Sequence, residues 1–246
     1  MTRNDGRQPD QIRPVRVTRG FQKFAHGSCL FELGDTKVAC AATVEEGVPG
    51  WLRGKGRGWL TAEYSMLPTA GGRRDSRETA RGIKGRTHEI QRLIGRSLRC
   101  VVDLGGLGGE ATVTVDCDVI QADGGTRTAA ITGAYIAVYD ALSRWKQAGK
   151  VRDLPLAGQV AAVSVGMVDG AVLLDLDYSE DHVAEVDMNI VMDGQGRFLE
   201  VQGTAESAPF DRTRLDQLLA LAEGGITRMQ AIQTEVVEQG LAEYAG

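Results

Sequence analysis

The sequence lacks the features of exported and membrane-spanning proteins. No apolar run approaches the length of a transmembrane helix, and residues 1–14 are polar with no apolar stretch after them. We therefore expect neither a signal peptide nor a transmembrane segment, no membrane partner, and a cytoplasmic location. The 246 residues are 42% apolar, which is ordinary for a globular chain with one large core or two small ones.

Familiar patterns of metal, hydrolase and nucleotide sites are also missing. The three histidines have no HxxxH spacing and no serine lies in a GxSxG motif, so we interpret these histidines as ordinary polar residues. GxxxxGK[ST] is absent, and no GxGxxG lies between a strand and a helix. The cysteines form no CxxC pair and lie in apolar segments, so we expect all four to be buried, reduced thiols: Cys29, Cys40, Cys100 and Cys117.

One stretch combines the parts of an anion-binding site. Residues 116–142 run from an apolar strand through Gly124-Gly125-Thr126-Arg127 into an alanine-rich helix. The glycines allow a tight turn, and the helix that follows presents unpaired N–H groups and the positive end of its dipole. Thr126 adds a hydroxyl donor, and Arg127 adds a planar fork of donors that suits phosphate oxygens.

The alternative for this stretch is a plain turn followed by a helix cap, which a bare Gly-Gly pattern favours. Arg127 argues for the anion site, because a cation in the first turn of a helix opposes the dipole unless an anion lies beside it. We predict a bare phosphate or a phosphodiester as the ligand rather than a nucleotide cofactor.

Charge is unevenly distributed along the chain. Residues 51–100 contain 12 Lys and Arg against 4 Asp and Glu, a net charge of +8, whereas residues 101–246 contain 9 against 23, a net charge of −14. The glycine-rich segment 70–86 concentrates the cations and is predicted to be a mobile basic loop. It could be a solvated face, could pair with an acidic neighbouring subunit, or could contact a polyanion backbone. The cations are Arg73, Arg74, Arg77, Arg81, Lys84, Arg86 and, one turn further on, Arg92.

Acidic residues crowd the stretch 175–187. Clustered carboxylate oxygens suit Mg²⁺ or Mn²⁺, and a carboxyl whose pKa is raised by its neighbours can act as a general acid. A solvated acidic loop is the alternative. Asp187 argues against it, because this residue opens an apolar strand where a charge has no packing role. The candidates are Asp175, Asp177, Glu180, Asp181, Glu185 and Asp187.

Hydrophobic periodicity and turn residues predict an α+β fold. Strands before helices occur twice, in 15–149 and 158–246, which predicts two similar βαβα halves, with mixed sheets packed against helices, in a single domain of residues 1–246. The predicted strands are a hairpin over 27–44 with a three-residue turn at 34–36, then 61–67, 111–121, 160–168, 171–177, 184–192 and 197–204. The predicted helices are 87–101, 126–148, 210–221 and 226–244.

Eight motifs in a fixed order carry further information. They are GDTKVAC, EEGVP, GWLTAEYSMLP, GRTHEIQRLIGRSLR, IQADGGTRTAAITGAY, AAVSVG, VDMNIVM and EVQGTAE. Over about residues 10–232 the sequence closely resembles the bacterial ribonuclease PH family. The resemblance implies a phosphate-dependent 3′-to-5′ exoribonuclease that trims transfer RNA precursors and other structured RNA 3′ ends, releases nucleoside diphosphates and can add nucleotides in reverse. It also implies a homohexameric ring built as a trimer of dimers.

The same resemblance implies roles for individual residues. Inorganic phosphate, as co-substrate, would be bound by Arg86, Gly125, Thr126 and Arg127. Catalysis would involve Arg127, Asp181 and Asp187, and the two aspartates would also bind Mg²⁺ or Mn²⁺. Transfer RNA would be held by Arg74 and Arg77. Where many relatives have an arginine after the MLP of the third motif, this chain has Thr69, and Arg73 is a possible substitute.

These placements suggest a mechanism and two rival functions. Bound phosphate is expected to attack the last phosphodiester in line with the leaving 3′ oxygen, which a carboxyl or a metal-bound water would protonate. One rival is a non-catalytic RNA-binding ring subunit, which would not need Arg127, Asp181 and Asp187 together. The other is a hydrolytic nuclease, which would have no use for Arg127.

Overall fold

The computed structural model describes residues 3–78, 82–207 and 209–240. Its first half forms a five-stranded sheet in the order β1-β2-β3-β5-β4, in which β4 and β5 run parallel and the other pairs are antiparallel. Two helices, α1 and α2, follow β4 and β5. The elements are β1 (Val15–Arg19), β2 (Gly27–Leu33), β3 (Thr36–Glu46), a 3-10 turn (Gly50–Leu52), β4 (Trp59–Met66), α1 (Gly85–Arg99), β5 (Ala111–Gln121) and α2 (Thr126–Gln147).

The second half forms a four-stranded antiparallel sheet in the order β7-β6-β8-β9. A short helix, α3, connects β7 to β8, and a long helix, α4, follows β9. The elements are β6 (Val160–Val168), β7 (Ala171–Leu174), α3 (Tyr178–Asp181), β8 (Val186–Asp193), β9 (Phe198–Ala205) and α4 (Arg212–Glu238). The α+β fold predicted from the sequence is confirmed.

Helix α2 lies at the centre of the molecule. It packs against β2 and β3 of one sheet and against β6 of the other, so it is buried nearly all round. Small residues make this close packing possible: a Cβ atom at Gly133 would lie 2.8 Å from the Cβ of Phe31. One continuous apolar core joins both sheets through α2, and the N-terminus of α2 opens at the junction of the two halves.

Helix α4 corrects the prediction of two C-terminal helices. The sequence predicted helices over 210–221 and 226–244, but the residues between them, which include Gly224-Gly225, lie inside one continuous helix. A Cβ at Gly225 would lie 2.6 Å from Leu174 Cδ1, so the glycine serves close packing against β7. The buried positions Leu218, Ala222, Ile226 and Met229 continue across the pair at helical spacing. The predicted continuation over 241–244 lies outside the described residues.

Two smaller predictions were also wrong. The β2–β3 hairpin has a two-residue turn, because Leu33 pairs directly with Thr36; Gly34, the first turn residue, adopts a φ of 56° that suits glycine. Cys100 is exposed, because α1 ends at Arg99 and its apolar face no longer directs this side chain into the core; the other three cysteines are buried, as predicted. In the described ranges, no helix is long and apolar enough to cross a membrane.

Candidate active site

The Gly124-Gly125 turn packs directly against the acidic segment of the second half. Both glycines have positive φ angles, 75° and 65°. A Cβ at Gly124 would lie 2.5 Å from the carbonyl oxygen of Leu176 and 2.9 Å from the backbone nitrogen of Tyr178. Only glycine permits this approach. The turn therefore places the start of α2 beside α3.

No side chain among the residues that the structure describes caps the N-terminus of α2. Gly125 is the N-cap residue, and the first turn contains no acidic side chain, so the amide groups and the dipole remain available to an anion. Thr126 accepts a hydrogen bond from the Tyr64 hydroxyl at 2.9 Å. Since Tyr64 supplies the proton in that bond, the Thr126 hydroxyl keeps its own proton for a ligand.

Tyr64 was not singled out from the sequence. It lies on β4, which runs parallel to β5 and so ends at the same edge of the sheet, beside the start of α2. Burial raises the pKa of its phenol, which stays neutral, although the hydrogen bond to Thr126 and the charges of Arg86 and Arg127 oppose the rise. The sequence does not reveal that β4 pairs in parallel with β5, and without that pairing Tyr64 could not be placed at the site.

Arg127 is held between α1 and β9. Its guanidinium donates to Gln202 Oε1 at 3.3 Å and lies 3.6 Å from Glu89 Oε2. Gln202 in turn donates to Glu89 at 3.1 Å. These contacts are long and few for a group with five donors, so Arg127 is oriented and still has donors free for an anion.

Two aspartates face these cations. Burial raises the pKa of Asp187 to about 6, with the charge of Asp181 adding to the rise and Arg127 and Arg86 opposing it. Partial burial likewise raises the pKa of Asp181, against the charges of the same two arginines. The structure thus brings Arg86, which lies exposed in the first turn of α1, to the same region as Arg127 and both carboxylates.

The other four acidic candidates have structural partners instead. Asp175 binds Arg13 at 2.7 Å and Arg7 at 3.3 Å. Glu180 accepts from Arg3 at 2.6 and 2.7 Å. Asp177 caps α3 in a capping box with Glu180, and Glu185 accepts from the backbone N–H of Gly170.

Arg13 links the two halves beside the candidate site. Its guanidinium donates to the carbonyl oxygens of Asp123 and Gly124 in the first half, and to the Asp175 carboxylate and the Leu176 carbonyl in the second. The side chain is nearly fully buried. This contact holds the turn before α2 at a fixed place relative to α3.

The remaining carboxylates suit a metal with few protein ligands. Neither Asp181 nor Asp187 accepts a side-chain hydrogen bond from the residues that the structure describes, and no group of three or more His, Cys, Asp or Glu side chains among those residues could hold a metal ion. Mg²⁺ commonly uses one or two carboxylates and completes its shell with water and substrate phosphates. A two-carboxylate site therefore fits Mg²⁺ and does not fit a fully caged structural metal.

The basic segment connects β4 to α1 without regular secondary structure between Leu67 and Arg77, and its arginines Arg73, Arg74 and Arg77 are exposed. Arg81 lies outside the described residues. The segment ends at α1, where Thr87 donates to Glu78 at 2.7 Å. It borders the candidate site, and the RNA contacts of its arginines stay a prediction.

A cavity of about 440 Å³ lies between this segment and the sheet. Tyr64 and Thr87 form its border with the anion site. Burial and the neighbouring Asp118 and Glu63 raise the pKa of Asp116 in its wall, and this acidic lining disfavours a phosphate. The anion site is therefore the open region at the N-terminus of α2. Together with the two aspartates, that region has the composition of a phosphoryl-transfer site.

Comparisons with known proteins agree with a phosphoryl-transfer site. Residues 11–143 match the model of the 3′ exoribonuclease family, domain 1 (RNase PH), and residues 158–225 match domain 2 of the same family. The chain is 55% identical over 238 residues to a ribonuclease PH of Syntrophomonas wolfei, covering 96% of this chain and 99% of that protein. The chain belongs to the ribonuclease PH family of 3′ exoribonucleases.

Solved structures show the same fold. Rice (Oryza sativa) Rrp46 matches with a TM-score of 0.78 at 20% identity, covering 95% of this chain and 99% of that one. The Archaeoglobus fulgidus exosome with RNA bound to the active site matches with a TM-score of 0.79 at 23% identity, covering 93% and 91%. At these identities the likeness establishes the fold alone.

Proposed function

We propose that this chain is a phosphate-dependent 3′-to-5′ exoribonuclease that trims transfer RNA precursors. Inorganic phosphate attacks the last phosphodiester, the bond to the 3′ oxygen of the preceding nucleotide breaks, and a nucleoside 5′-diphosphate leaves. The reverse reaction adds nucleotides. The observation that carries this proposal is the N-terminus of α2 beside Arg127, which no side chain of the described residues caps and which suits inorganic phosphate as co-substrate.

The phosphate is bound by four groups from two elements. The backbone N–H groups after Gly125 and the Thr126 hydroxyl donate from α2, and Arg127 and Arg86 supply charge-assisted hydrogen bonds from either side. Because Arg127 is already oriented by Gln202 and Glu89, it loses little conformational freedom when phosphate binds. In the proposed reaction, one oxygen of this phosphate attacks the terminal phosphodiester.

The two aspartates would offset negative charge at the reacting phosphodiester and take part in proton transfer. Asp181 and Asp187 would hold Mg²⁺, which offsets negative charge on the phosphoryl oxygens. Without Mg²⁺, burial and the charge of Asp181 raise the pKa of Asp187 to about 6. The leaving 3′ oxygen would be protonated either by a carboxyl that does not hold Mg²⁺ or by a water bound to the metal.

The proposal also covers how the chain binds RNA and how it assembles. The exposed arginines Arg73, Arg74 and Arg77 contact the backbone of transfer RNA, and the chain forms a homohexamer in the cytoplasm. We also propose that residues 1–246 are one domain of two pseudo-repeats, 15–149 and 158–246. The continuous core through α2 supports this, and a single cooperative thermal transition would test it.

Product analysis tests the function. The protein is incubated with Mg²⁺ and a transfer RNA that carries extra 3′ nucleotides, with and without inorganic phosphate. Nucleoside diphosphates that form only with phosphate are the expected result. Monophosphates formed without phosphate would indicate a hydrolase, and RNA binding without any product would indicate a structural subunit.

A further inference from the structure

We propose that Tyr178 and His182 form a stacking surface for one base of the RNA tail beside the reacting phosphodiester. This inference rests on the proposed function, because it assigns part of the substrate to a place next to that site. It adds a ligand, an unpaired nucleobase, to residues that the phosphate and metal sites do not use.

The pair is positioned by α3. Tyr178 opens this helix, Asp181 ends it, and His182 continues it with helical backbone angles. The spacing i, i+3, i+4 places all three side chains on one face of the helix. An aromatic surface therefore lies beside the carboxylate that we assign to the reacting phosphodiester.

The two rings have the geometry of a stack that is open on its outer side. Their centroids are 6.0 Å apart and their planes differ by 12°. Tyr178 is 61% exposed, and its hydroxyl has no hydrogen-bond partner among the described residues. The fold thus keeps a large aromatic ring in solvent at the border of the site without using it for packing.

The surface is also held in place before substrate binds. The backbone N–H of Tyr178 donates to Asp123 Oδ1 at 3.3 Å. Glu180, between the two rings in sequence, completes the capping box and binds the buried Arg3. These contacts fix the backbone of α3, so only the side chains need ordering when a base stacks on them.

An aromatic face suits the chemistry of an exonuclease. Every base has a π-face, so stacking holds each new terminal residue without selecting among the four bases. The phosphate backbone of the same strand can then follow the arginines of the anion site.

Equilibrium binding tests the proposal. The ligand is a short RNA with a single-stranded 3′ tail, in Mg²⁺ and without phosphate, so that no phosphorolysis occurs. Tyr178→Ala should weaken binding roughly 5- to 20-fold, at the low end of base–aromatic stacking, whereas Tyr178→Phe should bind like wild type. The control is Phe24→Ala, which removes an aromatic ring that is 93% exposed, in the loop before β2.

A second comparison locates the base. Abasic units are placed one at a time along the tail, and one position should weaken wild-type binding as much as Tyr178→Ala does while leaving Tyr178→Ala unaffected. Equal responses of both proteins at every position would overturn the proposal. A changed sedimentation coefficient of Tyr178→Ala would also overturn the proposal, because it would indicate that Tyr178 and His182 lie in a contact between subunits. Product analysis of the wild type separately decides the proposed function.

Discussion

Replacing Arg127 by alanine should damage phosphate use and spare RNA binding. Charge-assisted hydrogen bonds each contribute about 1.5–3 kcal/mol. Loss of one such contact corresponds to a factor of roughly 10 to 150 in an equilibrium constant. We therefore expect the KM for phosphate to rise by about that factor, while the Kd for RNA changes less than about threefold because the basic segment is intact.

The structure also limits the effect of this substitution on stability. Arg127 lies 3.6 Å from a partly exposed Glu89 and makes one long hydrogen bond to Gln202. Partly exposed pairs of this kind contribute about 0.2–1 kcal/mol. The melting temperature of Arg127→Ala should therefore stay close to that of the wild type, and a kinetic defect would not be a folding defect.

The assay measures initial rates of nucleoside diphosphate release at saturating RNA across a range of phosphate concentrations. Arg96→Ala is the matched control, because Arg96 lies on α1 and binds Glu200 away from the start of α2. An Arg127→Ala protein with a normal KM for phosphate, or one whose RNA binding fell in parallel, would refute the placement of phosphate.

Three further predictions concern other parts of the site. Asp187→Asn should abolish activity yet be more stable than the wild type at pH 8 without Mg²⁺, by about 1–3 kcal/mol in denaturant unfolding. The reason is that a folded-state pKa of about 6, above the unfolded value, makes the wild type lose stability as pH rises from about 4 to 6. Gly124→Ala should lower the melting temperature and impair phosphate use together, since its Cβ would contact the Leu176 carbonyl. Replacing both Arg74 and Arg77 by alanine should weaken RNA binding and reduce its salt dependence by about two phosphate contacts.

Each of these has a clear contrary result. Equal stability of Asp187→Asn and wild type at pH 8 would mean that the carboxyl is not buried as described. A Gly124→Ala protein with normal phosphate kinetics would show that the Gly124-Gly125 turn does not position the phosphate site. If the salt dependence of RNA affinity were unchanged in the double arginine variant, Arg74 and Arg77 would not contact the RNA backbone.

The sequence was sufficient for the parts of the fold that rest on local patterns. The strand 111–121 and the helix beginning at Thr126 were predicted because alternation and a Gly-Gly turn are local signals. The predicted break between the helices 210–221 and 226–244 was wrong, because α4 continues through Gly224-Gly225. A glycine pair is locally a stop signal, and only the contact of Gly225 with Leu174 shows that it serves packing.

The site could be predicted only in part. Sequence spacing identified six acidic candidates, and only the family resemblance, not the spacing, singled out Asp181 and Asp187 from the four that bind structural partners. That separation depends on Arg3, Arg7 and Arg13, which reach Asp175 and Glu180 from more than 160 positions away in the chain. Such long-range ion pairs leave no periodic signal.

Isotopic labelling tests the central claim most directly. The wild-type protein is incubated with Mg²⁺, a transfer RNA with extra 3′ nucleotides and ³²P-labelled inorganic phosphate, and the released nucleotides are separated. Attack by a phosphate bound at the N-terminus of α2 predicts label in the β-phosphate of nucleoside diphosphates, in amounts equal to the nucleotides removed. Unlabelled monophosphates in those amounts would contradict the account.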